Sequence, residues 1–217
     1  MKSISIDGKT ELAVNTLFCI GRNYAKHAEE LDNEVPSKPM VFLKPNSSII
    51  FDGDIISLPS LSKEVHHEVE LVAAIGKEGK NIAENNALDY VAGYGIGIDV
   101  TARDIQQEAK NKSHPWSVAK GFDTFAPVST FVAADKITDP QNLELSILVN
   151  GKVRQHGYTK HMIFSVATLI SYLSNIFTLQ PGDLIFTGTP EGVSPIKSGD
   201  QVKANLHDYT SLNVSVS

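Results

Sequence analysis

The sequence has a single cysteine, Cys19, among 217 residues, so no disulfide can form within the chain. A lone cysteine in an apolar stretch is predicted to behave as a small, buried hydrophobic residue. The sequence also lacks an apolar run of about 18 residues and an N-terminal secretory or transit signal. These absences predict a protein of a reducing compartment, with a cytoplasmic location and no membrane partner.

The chain has no excess of positive charge. Its 19 basic and 25 acidic residues give a net charge of -6, which argues against a nucleic-acid partner. No repeat, low-complexity tract or linker interrupts the sequence, so we expect one domain over residues 1–217. A chain of this size can bury its own core, and a metal site would therefore serve chemistry. The predicted partner is a small molecule.

Strand-like runs outnumber helical ones, which predicts a strand-rich α+β fold. The predicted strands are 16–20, 40–44, 65–75, 91–100, 143–149, 184–187 and 201–205. Asn150 and Gly151 are typical of a two-residue hairpin turn, since both tolerate a positive φ. The glycines at 93, 95 and 97 lack the GxGxxG spacing and predict close strand packing, not phosphate binding.

Three helices are predicted. Asn23 is a candidate N-cap for a short helix that reaches about Leu31. Thr101 and Asp104 have the spacing of a capping box that opens a second helix. Apolar residues recur at helical spacing over residues 161–177, which predicts a third helix packed by one face on a sheet.

Two carboxylates, Glu68 and Glu70, fall on one face of a predicted strand because strand side chains alternate. Adjacent acids repel each other and need a compensating cation. Asp99, at the end of a later strand and ahead of a helix, is a third candidate ligand. Three carboxylates suit Mg²⁺ or Mn²⁺ with about three positions open. Two alternatives stay open here: a solvated strand face, and His66 as a ligand in place of Asp99.

His27 and Glu30 are one helical turn apart and can face the same way. A histidine held by a carboxylate is a competent general base near neutral pH. The alternative interpretation is an ordinary charged helix surface, because Lys26 and Glu29 lie beside them.

Further polar residues could complete a site for an anion. Arg103 and Gln106 lie one turn apart on the helix that follows Asp99, and Lys120 follows in Val118-Ala-Lys-Gly-Phe122. The segment from Phe186 to Gly192 offers hydroxyls and backbone amides that suit a carboxylate, although a plain turn explains it equally well.

Together these segments resemble the fumarylacetoacetate hydrolase superfamily, and in particular its short acylpyruvase branch. The stretches that carry the resemblance are Cys19-Ile-Gly-Arg-Asn-Tyr24, Val41-Phe-Leu-Lys-Pro45, His66-His-Glu-Val-Glu70, Gly97-Ile-Asp-Val-Thr-Ala-Arg-Asp104 and Thr187-Gly-Thr-Pro190. They occur in the family's order and cover nearly the whole chain.

The resemblance implies a mixed β-roll with short flanking helices, and a homodimer. It implies that Glu68, Glu70 and Asp99 bind the divalent cation, Mg²⁺ or Mn²⁺. It also implies the site roles of the remaining candidates: His27 and Glu30 as the water-activating pair, Lys120 and Gln106 facing the substrate, and Arg22 and Thr189 in the pocket.

The resulting functional expectation is hydrolysis of an acylpyruvate to pyruvate and a carboxylic acid. In this hypothesis His27 takes a proton from water, and the cation and Lys120 stabilise the pyruvate enolate that is released. Decarboxylation of oxaloacetate is the nearest alternative because it yields the same enolate without an attacking water. Tautomerisation, isomerisation of a dienoic diacid, and a non-catalytic module that binds a keto acid are further alternatives.

Overall fold

A computed structural model describes residues 2–30 and 34–217, and strands dominate it. Its centre is a six-stranded mixed sheet. In spatial order the strands are β12 (Val132–Ala133), β9 (Val91–Ile98), β8 (Val69–Ile75), β15 (Leu184–Phe186), β3 (Leu17–Gly21) and β4 (Met40–Lys44). The β3–β15 pair is parallel and the other pairs of this sheet are antiparallel.

The other strands form one five-stranded sheet and three smaller sheets. The five-stranded sheet has the order β14 (Lys152–Tyr158), β13 (Glu144–Val149), β17 (Gln201–Leu206), β18 (Thr210–Val216) and β6 (Ile55–Ile56). A three-stranded sheet has the order β10 (Thr101–Ala102), β7 (Val65–His67) and β16 (Ser194–Ile196). Two pairs complete the set, β1 (Ser3–Ile6) with β2 (Thr10–Ala13), and β5 (Ile49–Ile50) with β11 (Ala126–Pro127).

Short helices flank these sheets. They are α1 (Ala25–Glu30), α2 (Arg103–Asn111), α3 (Ser117–Lys120) and α4 (Val166–Ile176), with 3-10 turns at Asn46–Ser48, Glu84–Tyr90, Ala134–Lys136 and Thr159–His161. The predicted strand-rich α+β fold, a mixed β-roll with a few short helices, is confirmed. None of the helices in the described residues has the length and apolar character needed to cross a membrane.

The central sheet has an apolar cluster on each face, because its strand side chains alternate. Phe18, Leu71 and Ile185 pack on one face together with α4 and the five-stranded sheet. Cys19, Val72 and Phe186 pack on the other face. Cys19 is completely buried, as predicted for a small hydrophobic residue.

The predicted strand 65–75 is interrupted at Glu68. β7 pairs with β10 and β16, whereas β8 pairs with β9 and β15. The chain therefore passes from the small sheet to the central sheet at Glu68. The alternation of side chains does not reveal this change of partners, because it depends only on local backbone direction.

The predicted capping box at Thr101 is wrong. α2 begins at Arg103 without a side-chain cap, and Thr101 lies in β10. The Thr101 hydroxyl donates to the Asp99 carbonyl and accepts from the Lys120 ammonium. Asp104 accepts from the Lys63 N–H and the Ser62 hydroxyl instead. Thr101 and Asp104 therefore bond to residues from other segments and not to each other's backbone, as a capping box would require.

The other two helix predictions need smaller corrections. α4 begins at Val166 because the Ser165 hydroxyl accepts from the Thr168 N–H and caps it. Asn23 does not cap α1, since its side chain binds the backbone of Phe164 and Thr187. The predicted end of α1 near Leu31 lies outside the described residues.

The predicted turn and glycine packing are confirmed. Asn150 and Gly151, with φ of 51° and 74°, connect the antiparallel strands β13 and β14. A Cβ on Gly97 would lie 2.7 Å from atoms of Val72 and Phe186. Gly97 therefore allows close packing across the central sheet.

Candidate active site

The three predicted metal ligands converge on one point. Glu68, Glu70 and Asp99 each offer a carboxylate oxygen, and these oxygens lie within 4.8 Å of one another. The antiparallel register of β8 and β9 brings them together, because Glu70 lies opposite Gly97 and the Asp99 N–H donates to the Glu68 carbonyl at 2.8 Å. All three residues are buried, with exposures of 5%, 1% and 1%. A solvated strand face is therefore excluded.

His66 is not part of this cluster. Its Nε2 lies 2.9 Å from the Glu64 carboxylate, and its strand, β7, belongs to a different sheet from β8. The sequence left Asp99 and His66 as alternative third members of the cluster, and the structure places Asp99 beside Glu68 and Glu70.

Buried cations surround the carboxylates. Lys120 Nζ lies 2.8 Å from Glu68 and 2.5 Å from Asp99, and it donates to the Thr101 hydroxyl at 2.7 Å. Arg103 pairs with the other oxygen of Glu68 at 2.5 Å. Lys120 was expected to face the substrate. It lines the pocket, and its ammonium contacts these carboxylates.

Lys44 is a second buried lysine at the site, which the sequence analysis did not select. Its ammonium donates to the carbonyls of Val100, Lys120 and Phe125 at 2.5 to 3.0 Å. It also lies 2.8 Å from Asp99 Oδ1, outside hydrogen-bond geometry, and that oxygen has no hydrogen-bond donor within the described part of the chain.

The carboxylates fit a hard divalent cation. Burial, and then the charges of Asp99 and Glu68, raise the pKa of Glu70 well above its usual value. The Glu70 carboxylate accepts a hydrogen bond from the Gly188 N–H at 2.7 Å. A repelled carboxylate, an Asp99 oxygen without a donor and three acidic oxygens in close proximity form a donor set that suits Mg²⁺ or Mn²⁺.

His27 and Glu30 form the predicted pair. His27 Nδ1 lies 3.2 Å from Glu30 Oε2, and Glu30 also accepts from the Gly192 N–H at 3.1 Å. A carboxylate can only accept, so in the neutral imidazole Nδ1 carries the proton and Nε2 is left as an acceptor. Burial is the main cause that lowers the pKa of His27, while Glu68 and Glu30 raise it. The pair is therefore suited to accept a proton near neutral pH.

The predicted site residues line one pocket with the carboxylates. Its walls contain Arg22, His27, Arg103, Gln106, Lys120 and Thr189. Glu30 is not among the lining residues and reaches the pocket through His27. Trp116 also lines it, as do Phe42 and Lys110, which were not predicted. The position of Lys110, one helical turn after Gln106, was the available signal.

Gln155 connects Thr189 to the core. Its Oε1 accepts from the Val69 N–H and from His67 Nδ1, and its Nε2 donates to the Thr189 hydroxyl oxygen at 2.8 Å. The backbone donor fixes the orientation of this amide. Because Thr189 accepts from Gln155, its own proton is free to donate into the pocket.

Replacement of Gln155 by leucine is expected to destabilise the protein by about 3 kcal/mol or more. The change removes the partner of His67 Nδ1, of the Val69 N–H and of the Thr189 hydroxyl oxygen. Each buried group left unsatisfied costs about 1–3 kcal/mol. Urea denaturation measures the loss. Gln107→Leu, on the exposed face of α2, is the matched control and should stay within about 0.5 kcal/mol of the wild type. A loss below 1 kcal/mol for Gln155→Leu would contradict the assigned network.

The site combines a buried carboxylate cluster that suits a divalent cation with a histidine in the same pocket, an arrangement typical of metal-dependent enzymes, on a mixed β-roll. The family model described as Fumarylacetoacetate (FAA) hydrolase C-terminal matches residues 16–217. The chain belongs to the fumarylacetoacetate hydrolase family, as the sequence motifs indicated.

The similar proteins include enzymes named for oxaloacetate and a hydrolase of known structure. The protein named oxaloacetate tautomerase FAHD1, mitochondrial, of Bos taurus is 46% identical over 92% of this chain and 90% of its own. The oxaloacetate decarboxylase, mitochondrial, of Dictyostelium discoideum is 51% identical over 88% of each chain. The crystal structure of fumarylpyruvate hydrolase from Pseudomonas aeruginosa in complex with Mn²⁺ and pyruvate has a TM-score of 0.95 and 37% identity, and covers 99% of this chain and 95% of that chain.

Proposed function

We propose that this protein is a divalent-metal-dependent enzyme that tautomerises oxaloacetate through its enolate and decarboxylates the keto form, which releases carbon dioxide and leaves the enolate of pyruvate. The observation that carries the proposal is the buried cluster of Glu68, Glu70 and Asp99 opening into a pocket that also contains His27. The curated relatives named for oxaloacetate support the choice of substrate.

The three carboxylates would hold Mg²⁺ or Mn²⁺. When bound, such a cation supplies Lewis acidity beside the 2-oxo group, which commonly contributes several kcal/mol to charge stabilisation. Two buried lysines of the chain place positive charge beside these carboxylates. Lys120 and Lys44 form buried ion pairs with Asp99, and Lys120 adds positive charge to the pocket wall.

The remaining residues bind the substrate and move its proton. Arg103, Gln106 and Thr189 donate to the carboxylate next to the 2-oxo group, and Gln155 directs the Thr189 proton toward the pocket. His27 Nε2 removes a proton from C3 to give the enolate, and protonation of the 2-oxo oxygen then gives the enol. In the reverse direction the enol oxygen loses its proton and His27 returns a proton to C3, which restores the keto form. Glu30 fixes the ring and stabilises the imidazolium. Arg22 adds a further charge at the pocket wall.

Hydrolysis of an acylpyruvate is the second candidate function. The same His27 acceptor can activate a water, and the His27–Glu30 contact favours this reaction as much as proton transfer at carbon. The similarity to fumarylpyruvate hydrolase supports it.

The purified protein with Mg²⁺ is expected to accelerate both ketonisation of enol-oxaloacetate and release of pyruvate from oxaloacetate. Ultraviolet absorbance of the enol measures the first reaction, and a coupled pyruvate assay measures the second. A chelator should abolish both, and readdition of Mg²⁺ or Mn²⁺ should restore them. Acetylpyruvate and fumarylpyruvate serve as comparison substrates. A kcat/KM for either of them at least tenfold above that for oxaloacetate would assign the protein to hydrolysis instead.

Three assignments stay predictions. The homodimer follows from the family resemblance, and the single domain over residues 1–217 from the absence of a linker. The cytoplasmic location follows from the sequence, whereas the two curated relatives are named mitochondrial.

A further inference from the structure

One face of α2 is directed at the pocket along its whole length. Arg103, Gln106 and Lys110 are spaced by three and four residues, the spacing of one helical face, and all three line the pocket. Arg103 contacts Glu68 and donates to Gln106, so this end of the helix is committed to the carboxylate cluster. Lys110 lies two turns farther along, away from those carboxylates.

Lys110 is a cation without a carboxylate partner among the described residues. Its ammonium lies 5.8 Å from the centroid of the Trp116 ring, which in turn packs edge-on against Phe42. Burial, and then the charges of Arg22 and Arg103, lower the pKa of Lys110. The ammonium is therefore held among like charges, an arrangement that an anion would relieve.

Arg22 faces the same region of the pocket. It follows β3 with φ of 59°, a left-handed conformation that is unfavourable for arginine. Such strain persists only where the surroundings determine the backbone, and it concentrates at ligand-binding positions.

The charge of the pocket favours a dianion. Its walls contain three carboxylates against four cationic side chains, namely Arg22, Arg103, Lys110 and Lys120, so the lining has a net charge of +1. A divalent cation raises this to +3. A monocarboxylate would leave two positive charges uncompensated in a partly buried pocket, and a dicarboxylate would leave one.

We propose that Lys110, with Arg22, binds the distal carboxylate of the substrate and so selects 2-oxo dicarboxylates over 2-oxo monocarboxylates. The proposal rests on the proposed function for the placement of the 2-oxo end near Glu68 and Asp99. Lys110 lies about 6 Å beyond Gln106 along the axis of α2, at 1.5 Å per residue. That offset matches the length of a short diacid held by Arg103 and Gln106 at one end.

Oxaloacetate and 2-oxobutanoate test this inference, because they differ only in a carboxylate or a methyl group at the distal carbon. Trp116 is the single tryptophan of the chain and lines the pocket, so its fluorescence reports binding directly. Stopped-flow titration in the presence of Mg²⁺ gives both dissociation constants before turnover. The wild type is expected to bind oxaloacetate at least about tenfold more tightly than 2-oxobutanoate.

Lys110→Met is expected to lower this preference by about tenfold, with less than a twofold change for 2-oxobutanoate. Lys110→Arg should retain most of the preference. Lys112→Met is the matched control, since Lys112 is exposed on the same segment and pairs with Glu108. Equal weakening of both ligands by Lys110→Met, an unchanged ratio, or a wild type without the preference would each overturn the inference.

The outcomes separate this inference from the proposed function. A wild type that binds oxaloacetate through Lys110 without converting it refutes the proposed function and leaves the inference standing. Conversion of oxaloacetate with a preference that does not depend on Lys110 refutes the inference alone.

Discussion

Replacement of Glu70 by glutamine is expected to lower kcat/KM for oxaloacetate by at least about 1,000-fold in the presence of Mg²⁺. The change removes one of the three carboxylates that lie within 4.8 Å of one another, and with it the charge that compensates a divalent cation. Lewis-acid assistance is commonly worth several kcal/mol, and each 1.4 kcal/mol corresponds to a factor of about ten. Initial rates at saturating Mg²⁺ measure the loss.

The same substitution is expected to raise the Tm of the metal-free protein at neutral pH. The folded-state pKa of Glu70 is raised by burial and by Asp99 and Glu68. The metal-free wild type therefore loses stability as pH rises from the usual glutamate range through this raised value, and glutamine carries no such cost. Glu144→Gln, a change at a half-exposed side chain outside the pocket, is the control and should alter neither property. Retained turnover, or a lower Tm for Glu70→Gln without metal, would refute the assignment.

Replacement of His27 by alanine is expected to lower tautomerisation and acylpyruvate hydrolysis by about 100-fold or more. Both reactions need a proton acceptor, and His27 Nε2 is the acceptor that the Glu30 contact leaves free. Decarboxylation of oxaloacetate needs no attacking water and should fall by less than about tenfold. His156→Ala is the control, because His156 is half-exposed and pairs with Glu144. Equal losses in all three reactions would show that His27 is not specific to the two reactions that need a proton acceptor.

The pH dependence of tautomerisation follows from the same histidine. The reaction requires neutral His27, and burial lowers the pKa of His27 below its usual value of 6.5. The rate should therefore be constant at neutral pH and fall only as the pH drops below about 6.5. In the His27→Ala variant the residual rate should lose this acid limb.

Local sequence patterns identified the acidic pair and the histidine–carboxylate pair of the site. They did not identify the residues whose role depends on contacts between distant segments. Alternation along residues 65–75 placed Glu68 and Glu70 on one face, and helical spacing joined His27 to Glu30. The contribution of Asp99 depends on the register between β8 and β9, which sequence alone does not fix. The assignment of Asp99 to the cluster came from the family resemblance.

Lys44 and Gln155 were missed for a physical reason. Lys44 ends a predicted strand and resembles any exposed lysine, yet its ammonium is buried against carbonyls that come from distant parts of the chain. Gln155 lies in β14, whose other side chains are mostly exposed, so its burial breaks no visible pattern. Both roles exist only once separate sheets have packed together.

The position of β15 has a consequence for how the protein is made. This strand inserts between β8 and β3, and the Gly188 N–H that follows it donates to Glu70. A nascent chain therefore contains all three acidic residues of the cluster long before the segment that donates to one of them has left the ribosome. Pairings between distant segments form slowly, because the intervening loop must close first. Glu70 therefore gains its Gly188 donor only after this late strand has inserted, although the pairing of β8 with β9 needs no segment beyond residue 98.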